Sequence, residues 1–159
     1  MDILSNKMKE IIEKVDLESN DVNFLGLENI VDPNIVEANG CLILDIDHKL
    51  NVDKIDWHRV LKFHGDFTGY EASCNELRIN DYLPDTTDKE SIFRIAYTVM
   101  NKWAEKLKKS YPDFQFVIIL SYDFEYATLR FHTLRQDEAS WISDDIEHSE
   151  QAIFIKKVL

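Results

Sequence analysis

The sequence predicts an α+β fold: a mainly antiparallel sheet with two amphipathic helices packed on it. Three observations lead there. A long apolar stripe at helical spacing follows a strong start signal near residue 88. Beyond it, two apolar runs are separated by a tight polar turn, the pattern of a hairpin. Strand-like runs also succeed one another through short turns, which favours antiparallel pairing over a regular strand–helix alternation.

Taken in order, Leu4, Met8, Ile11, Ile12 and Val15 recur at helical spacing, so residues 2–15 read as the first amphipathic helix. Residues 16–40 are polar and irregular, with turn signals at Asn20-Asp21, Asp32-Pro33-Asn34 and Asn39-Gly40. Cys41 to Asp47 reads as a short apolar strand. Residues 53–83 fit more than one pattern: Trp57, Leu61 and Phe63 suit a strand or a short helix, whereas Glu71 to Ile79 reads as a strand. Thr87-Asp88-Lys89-Glu90 has the T-x-x-E form of a capping box, in which hydroxyl and carboxylate satisfy opposite orphan amides. Ile92, Ile95, Ala96, Val99, Met100, Trp103 and Leu107 then form the stripe of the second helix, closed by Pro112 and Asp113. Phe114 to Ser121 reads as a buried strand, Asp123-Phe124-Glu125 as a turn and Tyr126 to Leu134 as the hairpin partner. Residues 136–150 form an acidic connection, and Ala152 to Val158 a final strand. With no internal repeat and no composition break, residues 1–159 are expected to form a single domain.

The 159 residues are 45% hydrophobic, enough for a substantial core, and carry a formal charge of −12. That charge argues against a nucleic-acid partner, because phosphate backbones are held by clustered Lys and Arg. It favours a cationic protein partner. Cys41 and Cys74 lie too far apart for a CxxC pair and read as buried, inert thiols. No apolar run nears the roughly 18 residues of a membrane span, and the N-terminus lacks the features of a signal peptide. The expected setting is the cytoplasm, without a membrane.

Catalytic patterns are sparse. Leu42-Ile43-Leu44-Asp45-Ile46-Asp47 is similar to the first motif of haloacid-dehalogenase-type phosphatases, where the first Asp attacks phosphorus beside magnesium. That likeness makes a small magnesium-dependent phosphatase using Asp45 and Asp47 the alternative reading. His48-Lys49 stands where that family has Gly-Thr, and Asp144-Asp145 lacks the preceding strand that its later acidic pair requires. His58 and His64 with Asp66 could share one face of a strand, but a third ligand from His48, Asp45 or Asp47 would have to be assumed, so neither a metal site nor a cofactor is expected. Ser121 lacks the glycines of a nucleophile elbow.

Charge placement says more. Val15 to His48 contains eight acidic residues and no Lys or Arg. Gln136 to Ile155 likewise contains no Lys or Arg but has Asp137, Glu138, Asp144, Asp145, Glu147 and Glu150. The capped helix carries Lys89, Arg94, Lys102, Lys106, Lys108 and Lys109. Trp141, framed by carboxylates, fits either a loop anchor or an interface hot spot. Arg130 and Arg135 read as partners of local carboxylates.

Ser121-Tyr122-Asp123, Leu129-Arg130-Phe131-His132, Arg135, Glu138, Trp141 and Asp144-Asp145 together resemble the C-terminal half of small bacterial immunity proteins, which are encoded beside polymorphic or contact-dependent toxins. The likeness covers about a third of the chain. It implies a non-enzymatic cytoplasmic inhibitor that blocks one cognate toxin. The acidic charge points to a basic toxin, such as a nuclease. The expected partner-binding residues are Asp137, Glu138, Trp141, Asp144, Asp145, Glu147 and Glu150. An adaptor whose acidity serves only solubility is the third reading.

Overall fold

The computed structural model describes residues 2–17 and 24–159. The Asn20-Asp21 turn signal lies outside the described residues. The elements are β1 (Asp2–Leu4), α1 (Asn6–Lys14), α2 (Glu28–Val31), β2 (Ile35–Ala38), β3 (Cys41–Leu44), α3 (Trp57–His64), α4 (Phe67–Cys74), β4 (Leu77–Arg78), α5 (Lys89–Ser110), β5 (Phe116–Tyr122), β6 (Ala127–Thr133) and β7 (Ala152–Val158). Five strands form a sheet in the order β1-β7-β5-β6-β4, and β2 and β3 pair as a separate hairpin. Every pairing is antiparallel, so the fold is α+β as the sequence predicts.

Period-two alternation gives the sheet two apolar faces. Phe116, Ile118, Leu120 and Tyr122 of β5 join Leu129 and Phe131 of β6 and Phe154 of β7 in the main core. Onto this face α5 lays Phe93, Ala96, Val99, Met100, Trp103 and Leu107. The Trp103 indole sits edge-on to Phe131 at 5.9 Å, and its N–H donates to the Ile30 carbonyl at 2.7 Å, tying α2 to α5. Val117, Ile119, Ile153 and Ile155 point to the other face.

Several elements differ from the sequence expectation. Residues 2–4 form an edge strand on β7, and the helix begins only after Ser5. The Ser5 hydroxyl oxygen accepts the amides of Met8 (3.3 Å) and Ile153 (3.0 Å), so one buried side chain both caps α1 and bonds β7. The capping box does not form. Asp88 is the N-cap, accepting from the Ser91 amide and hydroxyl, while the Thr87 hydroxyl donates to Pro84 and Glu90 pairs with Arg94 one turn on. Asp caps at least as well as Thr, and Glu90 gains an i,i+4 ion pair instead. The strand from Cys41 ends at Leu44, because Asp45 turns the chain by accepting the amides of Lys49 and Leu50.

The largest correction concerns Glu71 to Ile79. The first half of this segment is helical: Glu71 to Cys74 end α4, and only Leu77–Arg78 pair as a strand. Its helical period is concealed because the inward positions Glu71 and Asn75, one turn apart, are polar, yet both are wholly buried. They join the hairpin to the sheet. Glu71 accepts from the Leu42 amide of β3 and from the Thr133 amide and hydroxyl of β6. Asn75 donates to the carbonyls of Leu42 and Phe131 and accepts the Leu44 amide. Two side chains thus take the backbone bonds that a missing strand between β3 and β6 would make.

Candidate partner-binding surface

Residues 136–150, which link β6 to β7, cross the second face of the sheet as a strap. Ile142 and Ile146 pack on Val117, Ile119, Ile153 and Ile155. An exposed acidic loop therefore has an apolar underside.

Two of its glutamates hold its ends. Glu138 accepts the Thr68 amide (2.8 Å) and hydroxyl (2.7 Å) and the Phe67 amide (3.4 Å) at the start of α4. Burial pulls its carboxyl upward, but those bonds and Arg135 outweigh it and hold the group below the ordinary glutamate value. Glu147 accepts the Asn6 amide at 3.0 Å at the start of α1, where a negative charge is also favoured by the helix dipole. Lys7 of α1 bonds the Glu150 carbonyl at 2.8 Å.

The middle is latched by His132, which is fully buried. Its Nδ1 lies 2.9 Å from the Thr133 carbonyl and must donate to it. That fixes Nε2 as acceptor for the Trp141 amide and the Ser140 hydroxyl, each at 3.3 Å. Burial pushes the imidazole below its ordinary pKa of 6.5, so it is held neutral. As pH falls through 6.5 the unfolded chain takes up this proton before the folded one. The contribution of this group to stability is therefore complete above that value and is lost as pH falls below it. Urea midpoints measured from pH 8 to pH 5 should show this decline, and His132→Gln should reduce it. Equal pH slopes in the two proteins would remove His132 as its source.

Trp141 stands on the outer side of this latch, 44% exposed. The Arg130 guanidinium lies over its ring, 4.0 Å from the centroid, and is itself fixed by the Ala72 carbonyl and Glu76. Arg135 pairs with Glu71 at 2.8 Å and approaches Glu138 at 3.9 Å. Both arginines thus bind carboxylates, but their main partners, Glu76 and Glu71, lie far away in the chain; only Glu138 is local to Arg135.

The seven residues expected to bind a partner now divide. Glu138, partly buried, and Glu147, exposed, both bond the amides of helix ends. Asp137, Trp141, Asp144, Asp145 and Glu150 are exposed. Asp144 reaches Lys157 at 3.6 Å and Asp145 reaches His148 at 3.8 Å, both well out in solvent. Sequence reasoning missed Glu76, which completes the Trp141–Arg130 stack. Its distance from Arg130 in the chain hides the pair until α4 folds against β6. The two acidic stretches come together at Arg135, which also donates to the Gly40 carbonyl. Asp32 of the first stretch lies instead at α5, where it pairs with Lys106 at 2.6 Å.

Other candidates are accounted for by local structure. Asp45 and Asp47 lie in the turn after β3, and the Asp45 carboxylate closes that turn. His58 and His64 lie on α3, where a spacing of six separates them onto different faces. Asp66 caps α4 through the Gly69 amide. Among the described residues no group of three or more His, Cys, Asp or Glu is placed to hold a metal, and no helix is long and apolar enough to cross a membrane. Cys41 is buried, and burial pushes its thiol up to about 12. Cys74 is exposed, contrary to expectation, because it falls on the outer side of α4; crowding of its sulfur still raises the thiol pKa.

Comparison with known proteins gives a family without an assigned activity. The chain is 28% identical over 130 residues to "Uncharacterized protein PM0498" of Pasteurella multocida (strain Pm70), covering 77% of this chain and 78% of that protein. No solved structure matches. A family model described as the uncharacterized protein PM0498 family matches residues 3–158, so the chain belongs to the PM0498 family.

Proposed function

We propose that this chain is a non-enzymatic, cytoplasmic protein-binding module, an immunity protein whose strap blocks a cognate basic toxin. One observation carries the reading: Trp141 is held face-on to Arg130, half in solvent, on a loop fixed at both ends and ringed by outward carboxylates. A pre-positioned aromatic loses little freedom when a partner covers it, which is how interface anchors reach large effects. Asp137, Asp144, Asp145 and Glu150 would steer a cationic surface toward it, and the contacts made at Trp141 would set the lifetime of the complex.

The test co-expresses the chain with the C-terminal toxin domain encoded by the adjoining reading frame, in a host that the toxin kills. Survival together with a purifiable complex is the expected result. Host death despite soluble expression, or a gene neighbourhood without such a toxin, would overturn the immunity reading. Trp141→Ala should weaken the complex by roughly 30-fold, the scale of a hot-spot residue. Asp144→Lys with Asp145→Lys should slow association and flatten its salt dependence. Both changes fall on exposed side chains, so the urea midpoint serves as the control for folding.

A further inference from the structure

We infer that α3 presents a second binding surface, of opposite charge to the strap, for a short acidic peptide segment carrying an apolar anchor. The inference rests on side chains the strap does not use. Phe63 is 86% exposed, the most of any large apolar side chain among the described residues, and Leu61 beside it is 42% exposed. The inner side of α3 is already packed. Trp57 meets Phe67 and Tyr70 edge-on, and His64 meets Tyr70. Phe63 is therefore surplus to the contact that holds α3 on α4.

Around Phe63 opens a groove of about 700 Å³ lined by Lys54, Asp56, Arg59, Val60, Lys62 and His64. Lys54, Arg59 and Lys62 form no ion pair among the described residues, whereas Arg94, Lys106, Arg130 and Arg135 each do. The carboxylate in the groove, Asp56, is engaged as the N-cap of α3 through the Arg59 amide at 3.2 Å. Lys54, Arg59 and Lys62 outnumber Asp56 around the exposed aromatic, a locally positive lining on a chain of net charge −12.

Charge and size choose the occupant. A nucleic acid or an anionic bilayer would meet the acidic field of the rest of the molecule, and a two-turn helix with one Phe and one Leu offers a bilayer little apolar area. A short segment of Asp and Glu around one apolar side chain fits the groove without extending into that field. Its carboxylates would meet Lys54, Arg59 and Lys62 while the anchor covers Phe63. This surface stands independently of the immunity reading. It adjoins the strap at the α3–α4 elbow, where Glu138 bonds the first amides of α4.

The experiment titrates the full isotope-labelled chain with a synthetic peptide of Asp and Glu flanking one phenylalanine, read by amide NMR. Saturable shifts at residues 54 and 59–64 are expected, weakening on going from low salt to about 0.15 M. Phe63→Ser and the pair Arg59→Glu with Lys62→Glu should each lower affinity at least about tenfold. Their spectra elsewhere should stay unchanged, because these side chains are exposed. Absence of shifts, shifts confined to the strap, or equal binding of a lysine-containing counterpart would overturn the proposal. So would Phe63-dependent binding to phosphatidylglycerol vesicles without peptide binding, which would make the surface a membrane contact. None of these outcomes bears on protection from a toxin, so the two readings fail separately.

Discussion

Glu71→Ala should destabilise the protein by about 3–5 kcal/mol, the cost of removing one partner from a buried ion pair. Glu71 is fully buried, and all four of its bonds come from donors. Oε1 accepts from the Thr133 amide and Arg135, and Oε2 from the Leu42 amide and the Thr133 hydroxyl. Alanine would leave the Arg135 guanidinium and two buried amides without their acceptor while opening a cavity between β3 and β6. Glu71→Gln separates charge from shape. Its amide group must aim N–H at a site built from donors, at a cost of about 1–3 kcal/mol. Urea unfolding measures both, and the expected order is wild type, then Gln, then Ala. A loss below 1 kcal/mol for the alanine variant would show that the hairpin is held by other means.

Trp103→Ala is the second large effect, again about 3–5 kcal/mol, here through lost packing. Trp103 is almost wholly buried, edge-on to Phe131, and among the described residues it supplies the donor for the Ile30 carbonyl. Trp103→Phe keeps most of the apolar volume but orphans that carbonyl, so its loss should be smaller and more local. Amide exchange should rise over residues 28–32 in the phenylalanine variant, with the α5–sheet core still protected. Uniform exchange across both regions would mean that α2 is not held through this bond.

These two positions also show where the sequence was readable. Trp103 sits on the α5 stripe, whose inward residues are all apolar, so period and burial coincide and the helix could be read directly. The hairpin β5–β6 and strand β7 were legible for the same reason. Glu71 and Asn75 carry the inward face of α4 with polar atoms, so the apolar period that marks a helix is absent there. Ser5 hid the first strand similarly: Leu4 falls in phase with Met8 and Ile11, although the chain changes from strand to helix between them. For the acidic segment, composition marked residues 136–150 as a connection without Lys or Arg, with Trp141 in it. It could not tell that Glu138 and Glu147 bond helix ends, because a carboxylate that closes a helix end and one that faces a partner are identical in sequence.

The short open edges of the two sheets carry a consequence for how partners can bind. β1, β4 and β2, which hold those edges, are three, two and four residues long, and the neighbouring backbone of β3 and β6 is occupied by Glu71 and Asn75. Little main chain is left for a visiting strand to extend, in another protein or in a second copy. On the two proposals made above, recognition would rest on side chains of the strap and of α3, none of which is needed to complete a ladder. A surface of that kind would change partner by substitution at Trp141, Asp144 or Phe63 while the sheet beneath kept its register.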